Sequence, residues 1–108
     1  MADVFGALAQ VYPAATTLTN SYTVPTGKRA TVEVVMCNQG GVSAATRVSH
    51  AIGGAADTSK QYLVYGALIT ASDTRVSGRF TVNAGDIIRV WSDTGTISFN
   101  INGVEEDA

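Results

Sequence analysis

The sequence predicts an all-β protein, an antiparallel β-sandwich of jelly-roll type with seven or eight strands. Three observations carry that reading. Val and Thr occur thirteen times each, whereas Leu, Glu and Lys, which fill helices, are scarce. Apolar residues recur at period two in short runs, the spacing of a strand with one face in a core. Turn signals separate the runs: "PTGK", "NQGG", "IGGAAD", "NAGD" and "DTG".

The runs follow in order. Residues 1–16 form an N-terminal arm or an extra strand around 7–12, apolar at Val4, Phe5, Leu8, Val11 and Tyr12 but without a turn that would fold it straight back. Residues 17–108 form a single sandwich domain with strands at 18–24, 29–38, 44–52, 61–69, 74–82, 86–92 and 96–104. In 29–38, Val32, Val34 and Met36 share one face while Thr31 and Glu33 share the other, which Val35 and Cys37 then turn apolar. In 61–69, parity sets Tyr62, Val64 and Leu68 against Leu63, Tyr65 and Ile69. Val76, Phe80 and Val82 oppose Arg75, Arg79 and Thr81; Ile87 and Trp91 flank Arg89 opposite Ile88 and Val90; Ile97, Phe99 and Ile101 face away from Ser98, Asn100 and Asn102. The closing "EEDA" is expected to be solvated and dispensable, because adjacent like charges repel.

Seven basic against nine acidic residues leave a net charge of -2, so the chain lacks the basic cluster that nucleic acid or an anionic membrane would require. Pro13 interrupts the N-terminal apolar run well short of a membrane span, and Asp3 stands where a signal peptide carries positive charge. Cys37 is the only cysteine, so the fold cannot depend on an internal disulfide.

Little in the sequence points to catalysis. Cys37 and His50 are the one thiol and one imidazole, but strand parity sends them to opposite sides, so they read as a small buried thiol and a packed ring. Zinc lacks ligands. Asp57, Asp73, Asp86 and Asp93 fall in predicted turns without EF-hand spacing and read as turn residues before calcium ligands. "GGAADTSK" lacks the spacing of a phosphate loop. Tyr12, Tyr62, Tyr65 and Trp91 could stack against sugars or bases, although aromatics of this kind more often half-bury at interfaces. The chain is read as a non-enzymatic protein without catalytic, cofactor or metal residues.

A two-layer sandwich buries only inner faces, so strands that are apolar on both faces need a second cover. The residues expected at an oligomer or capsid interface are Val35, Cys37, Tyr62, Val64, Leu68, Ile87 and Trp91, with Phe5, Leu8 and Tyr12 from the N-terminal segment.

"YTVPTGK", "CNQGG", "GGAADTSKQYL" and "AGDIIRV" with "ISFNINGVE" together resemble a group of small virion proteins of tailed bacteriophages, over nearly the whole chain. The resemblance implies a capsid decoration, or cement, protein: a homotrimer on the outside of the shell that ties major capsid subunits together, made in the host cytoplasm. It also implies an aliphatic core residue where this chain has His50. The alternative is a tail- or fibre-associated module that binds a host glycan or another tail protein.

Overall fold

The computed structural model describes residues 3–108, and eight strands account for most of them. They are β1 (Val4–Val11), β2 (Thr19–Thr23), β3 (Lys28–Asn38), β4 (Ala44–Ala51), β5 (Tyr62–Ile69), β6 (Thr74–Asn83), β7 (Ile87–Ser92) and β8 (Ile97–Asp107). Two 3-10 turns, Ile52–Gly54 and Ser59–Gln61, lie between β4 and β5. Sheet I has the order β1-β8-β3-β6 and sheet II the order β2-β7-β4-β5, with every pairing antiparallel. Partners are thus first with last, second with seventh, third with sixth and fourth with fifth, which is a long hairpin wound into a two-sheet jelly roll. The all-β sandwich expected from composition and period is the observed fold.

The core lies between the sheets. Val32, Val34 and Met36 of β3, Ile97, Phe99 and Ile101 of β8, and Val48, Ile88 and Val90 of sheet II are all essentially inaccessible. Their period of two matches the pleat, so each strand sends alternate side chains inward. Asn38 continues the inward series of β3 and is fully buried, yet it is satisfied. Its amide donates to the carbonyls of Val42 and Ile69, and its oxygen accepts from the Gly40 N–H and the Thr96 hydroxyl. One side chain so ties together the ends of β3 and β5 and the turns before β4 and β8.

Every edge strand is bulged. Relative to its neighbour, β1 carries one extra residue at Leu8, β2 at Ser21, and β5 at Leu63 and again at Gly66, while β6 accommodates Ser77 and Gly78 opposite Val34. The central pairs β3–β8 and β4–β7 run without a shift. Gly66 and Gly78 have φ of 74° and 90°, conformations that glycine adopts at little cost. At the β6 bulge the hydroxyl of Ser77 accepts the Val34 N–H at 3.0 Å, replacing the ladder bond that the bulge removes.

These bulges change the faces read from strict alternation. Val64 lies opposite Val48 and packs on the core, not outward, because the bulge at Leu63 flips its parity. Leu8 likewise packs on the core beside Ala9 and Val11. Val76 moves the other way: it pairs with Val35 on the outer face and is 48% exposed, whereas Phe80 and Val82 stay inside. Residues 4–11 of the N-terminal segment form an edge strand of sheet I, hydrogen-bonded to β8. Met1 and Ala2 lie outside the described residues.

Nor is the acidic C-terminus free. β8 extends to Asp107, where Glu105 accepts the Tyr22 hydroxyl, Glu106 pairs with Arg29 and Asp107 with Lys28. Like-charge repulsion is relieved because each carboxylate faces a different donor on β2 or β3. The bond from Tyr22 bridges the two sheets. Burial first, and then the hydrogen bond and charge of Glu105, push the phenol well above its ordinary range.

Candidate functional site

The outer face of sheet II has the densest chemistry. Arg47 on β4 lies opposite Trp91 on β7 and Tyr65 on β5, so pairing register alone sets these three side chains in a row across the sheet. The Arg47 guanidinium carbon is 4.1 Å from the Trp91 ring centroid and 4.5 Å from that of Tyr65. The cation thus lies between two aromatic rings, one from each neighbouring strand. Its Nε is buried without an acceptor, and Arg47 enters none of the ion pairs found among the described residues. Tyr62 meets Tyr65 edge-to-face with centroids 4.8 Å apart.

Beside this row, the segment 52–61 folds back over the same face. Arg89 on β7 donates to Asp57 at 2.7 Å, to the carbonyls of Ala55 and Gly54, and to Asn20 of β2. The other oxygen of Asp57 accepts from the buried hydroxyl of Ser49 at 2.8 Å. Side chains of Arg89 and Asp57 are 13% and 8% exposed, so this is a nearly dry ion pair with its remaining bonding positions filled. It pins the segment and brings Gly54 against Ile87, which therefore receives its outer cover from its own chain. An open hollow of about 540 Å³ remains between the pinned segment and β5, lined by Asp57, Thr58, Ser59, Tyr62 and Tyr65.

Asp86 organises the neighbouring end of the sandwich. The side chain is 5% exposed and accepts from the Asn83 and Gly53 N–H groups, both at 2.9 Å, and bonds to Nε2 of His50 at 2.7 Å. Burial alone would raise its pKa, but the two backbone donors and His50 outweigh burial and hold it below the ordinary carboxylate range. His50 also approaches Phe80 of the opposite sheet, at a centroid distance of 6.0 Å. The imidazole is thus half-buried between Asp86 and Phe80, and Cys37 lies on the outer face of the other sheet.

The four turn aspartates do not converge. Asp57 binds Arg89, Asp73 accepts from Thr70 and the Thr74 N–H, Asp86 holds its turn and Asp93 accepts the Ala45 N–H. Among the described residues no group of three or more His, Cys, Asp and Glu side chains is gathered in a metal-binding arrangement.

The outer face of sheet I is different in character. Val35 and Val76 pair across it, Cys37 continues the row beside Thr74 and Ser98, and Phe5 pairs with Val104 farther along. Phe5 is 73% exposed and Tyr12 is also exposed. The ten residues expected at an oligomer or capsid interface lie in three places. Val35, Cys37 and Phe5 lie on sheet I's outer face, with Tyr12 just beyond β1; Tyr62, Leu68, Ile87 and Trp91 lie on the outer face of sheet II; Val64 and Leu8 flank the core.

No protein-family model matches the chain, and no curated protein does. The two faces speak only through their own residues. Sequence reading missed Arg47, Arg89 and Asp86 as structural nodes. The available signal was charge on the outer-face positions of strand runs, Arg47 in 44–52 and Arg89 between Ile87 and Trp91, and Asp86 at the start of 86–92.

Proposed function

We propose that the protein is a non-enzymatic structural component of a phage virion, a decoration protein that binds the outside of the shell and strengthens contacts between major capsid subunits. The observation that carries this reading is the apolar pair Val35–Val76 with Cys37 next to it, and the exposed Phe5 two rows away at the β1 edge, over which no loop is seen to fold among the described residues. The likeness of "YTVPTGK", "CNQGG" and "ISFNINGVE" to small virion proteins supports the same role, as does a fold type widely used in capsids.

Geometry narrows how such an assembly would be built. A closed ring requires two patches inclined to one another on each protomer, whereas the outer faces of sheets I and II point in opposite directions. Contact between those two faces would propagate as an open stack. We therefore assign sister-subunit and shell contacts to sheet I and its β1 edge, with a trimer as the assembly, and leave the face bearing Trp91 and Tyr62 free. Light scattering coupled to size exclusion at micromolar concentration tests the first part. The expected mass is that of three chains, reduced to one by Val35→Glu with the β circular dichroism preserved. A wild-type mass of one chain removes the trimer, and a copy number of only a handful per purified particle removes the decoration role.

A further inference from the structure

The Arg47 row and the adjoining hollow fit a ligand that neither the fold nor the assembly role explains. Trp91 and Tyr65, on the strands either side of Arg47, stack against its guanidinium, and Nε is buried, so a ligand meets it at the edge formed by its terminal N–H groups. That edge suits a carboxylate, which accepts two parallel bonds. No carboxylate among the described residues lies within ion-pair distance of it. Arg89, two strand positions from Trp91, has acceptors for all of its nitrogens, and the contrast shows that the fold can satisfy a guanidinium where it needs to.

Tyr65 belongs both to the cation stack and to the wall of the 540 Å³ hollow, a size within the roughly 300–1,000 Å³ of small-ligand sites. The hollow offers aromatic surface from Tyr62 and Tyr65 and hydroxyls from both tyrosines and Ser59 that have no side-chain or backbone partner among the described residues. Asp57 does not repel an anion there, because Arg89 and Ser49 already occupy its two oxygens. The same bonds hold Thr58 and Ser59 in place, so the wall is formed before anything binds.

We propose that this face binds an acidic sugar, its pyranose ring seated against Tyr62 and Tyr65 and its carboxylate held by Arg47. A pyranose has an apolar C–H face for the tyrosines and hydroxyls for Ser59 and the phenols, and the acid group accounts for an otherwise unpaired cation. Such binding is independent of the assembly role, since it uses the opposite sheet.

Trp91 is the only tryptophan and touches Arg47, so its fluorescence reports on the site directly. The full chain is titrated with glucuronate oligosaccharides, N-acetylneuraminate, glucose and acetate. A saturable change with either acidic sugar is expected, weaker by about ten-fold or more for glucose and for Arg47→Lys, the loss that follows from one bidentate charge-assisted contact. Tyr62→Ala should weaken binding while leaving the Arg47–Trp91 stack intact, which keeps the test available should Arg47 variants fold poorly. Absence of a saturable response to both acids overturns the proposal. An equal response to acetate also overturns it and reassigns Arg47 to a carboxylate on a protein partner.

Discussion

Gly103 shows how tightly a single residue can constrain the centre of sheet I. It pairs with Gly6 on one side and Val32 on the other, and a Cβ built on it would lie 2.0 Å from the Thr31 carbonyl oxygen and 2.8 Å from the Val32 Cα. Both obstacles are backbone, so no rotamer change relieves them. Gly103→Ala should cost about 3 kcal/mol or more in denaturant unfolding, in the range of overpacked cores. Gly66, with φ of 74° and nothing near its missing Cβ, provides the control: Gly66→Ala meets only backbone strain, about 1 kcal/mol. Equal losses at the two sites would mean that β3 and β8 can separate without penalty. Asp86 acts through charge instead. Because its folded-state pKa is lowered, its bonds stabilise the protein fully above the ordinary carboxylate range, about pH 4, and that contribution is lost as the pH falls through the lowered value. Urea midpoints measured from neutral pH to below pH 4 should decline on the acid side, and Asp86→Asn should flatten that decline while lowering stability at neutral pH. An acid limb unchanged in the variant would assign it to other carboxylates.

Among the elements, the edge strands differ from the central ones. A flat edge presents unpaired N–H and C=O groups to any passing chain, and the bulges in β1, β2, β5 and β6 break that row without removing the strand from its sheet. Strand addition at these edges is thereby disfavoured, so any contact made at the β1 edge goes through side chains such as Phe5. The first and last strands belong to the sheet as well. β1 supplies Leu8, Ala9 and Val11 to the rim of the core, and the last turn of β8 is tied to β2 and β3 through Tyr22, Arg29 and Lys28. Deleting residues 105–108 should therefore lower the melting temperature by several degrees, chiefly by removing Glu105 from the buried face of Tyr22, because the two exposed ion pairs contribute little. Deleting residues 2–12 should lower it further, since it uncovers the core rim and leaves β8 as an edge. An unchanged melting temperature in either truncation, followed by circular dichroism, would return that terminus to the status of a solvated arm.

At the scale of the whole molecule, one sandwich presents two unlike surfaces: an apolar row on sheet I and a cation clamped by aromatics on sheet II. If they serve assembly and ligand binding separately, Val35→Glu should abolish oligomerisation without altering the Trp91 titration, and Arg47→Lys should do the reverse. Coupled loss of both functions in either variant would join the faces into one interface. By itself the sequence determined the fold class, the approximate positions of seven strands with an eighth left open, and most of the core, because strand pleat and turn chemistry are local and are written in period two, Val and Thr content and Gly, Pro and Asp placement. It also marked Val35 and Cys37 as apolar residues on an outer face. Only the tertiary structure decided which way Val64, Val76 and Leu8 point, since a bulge of one residue reverses every side chain beyond it and depends on the partner strand, not on the strand itself. Only pairing between strands distant in sequence could set Arg47 between Trp91 and Tyr65, or bring Arg89 to Asp57 and His50 to Asp86, because each contact spans sheet register or loop closure that no local pattern encodes.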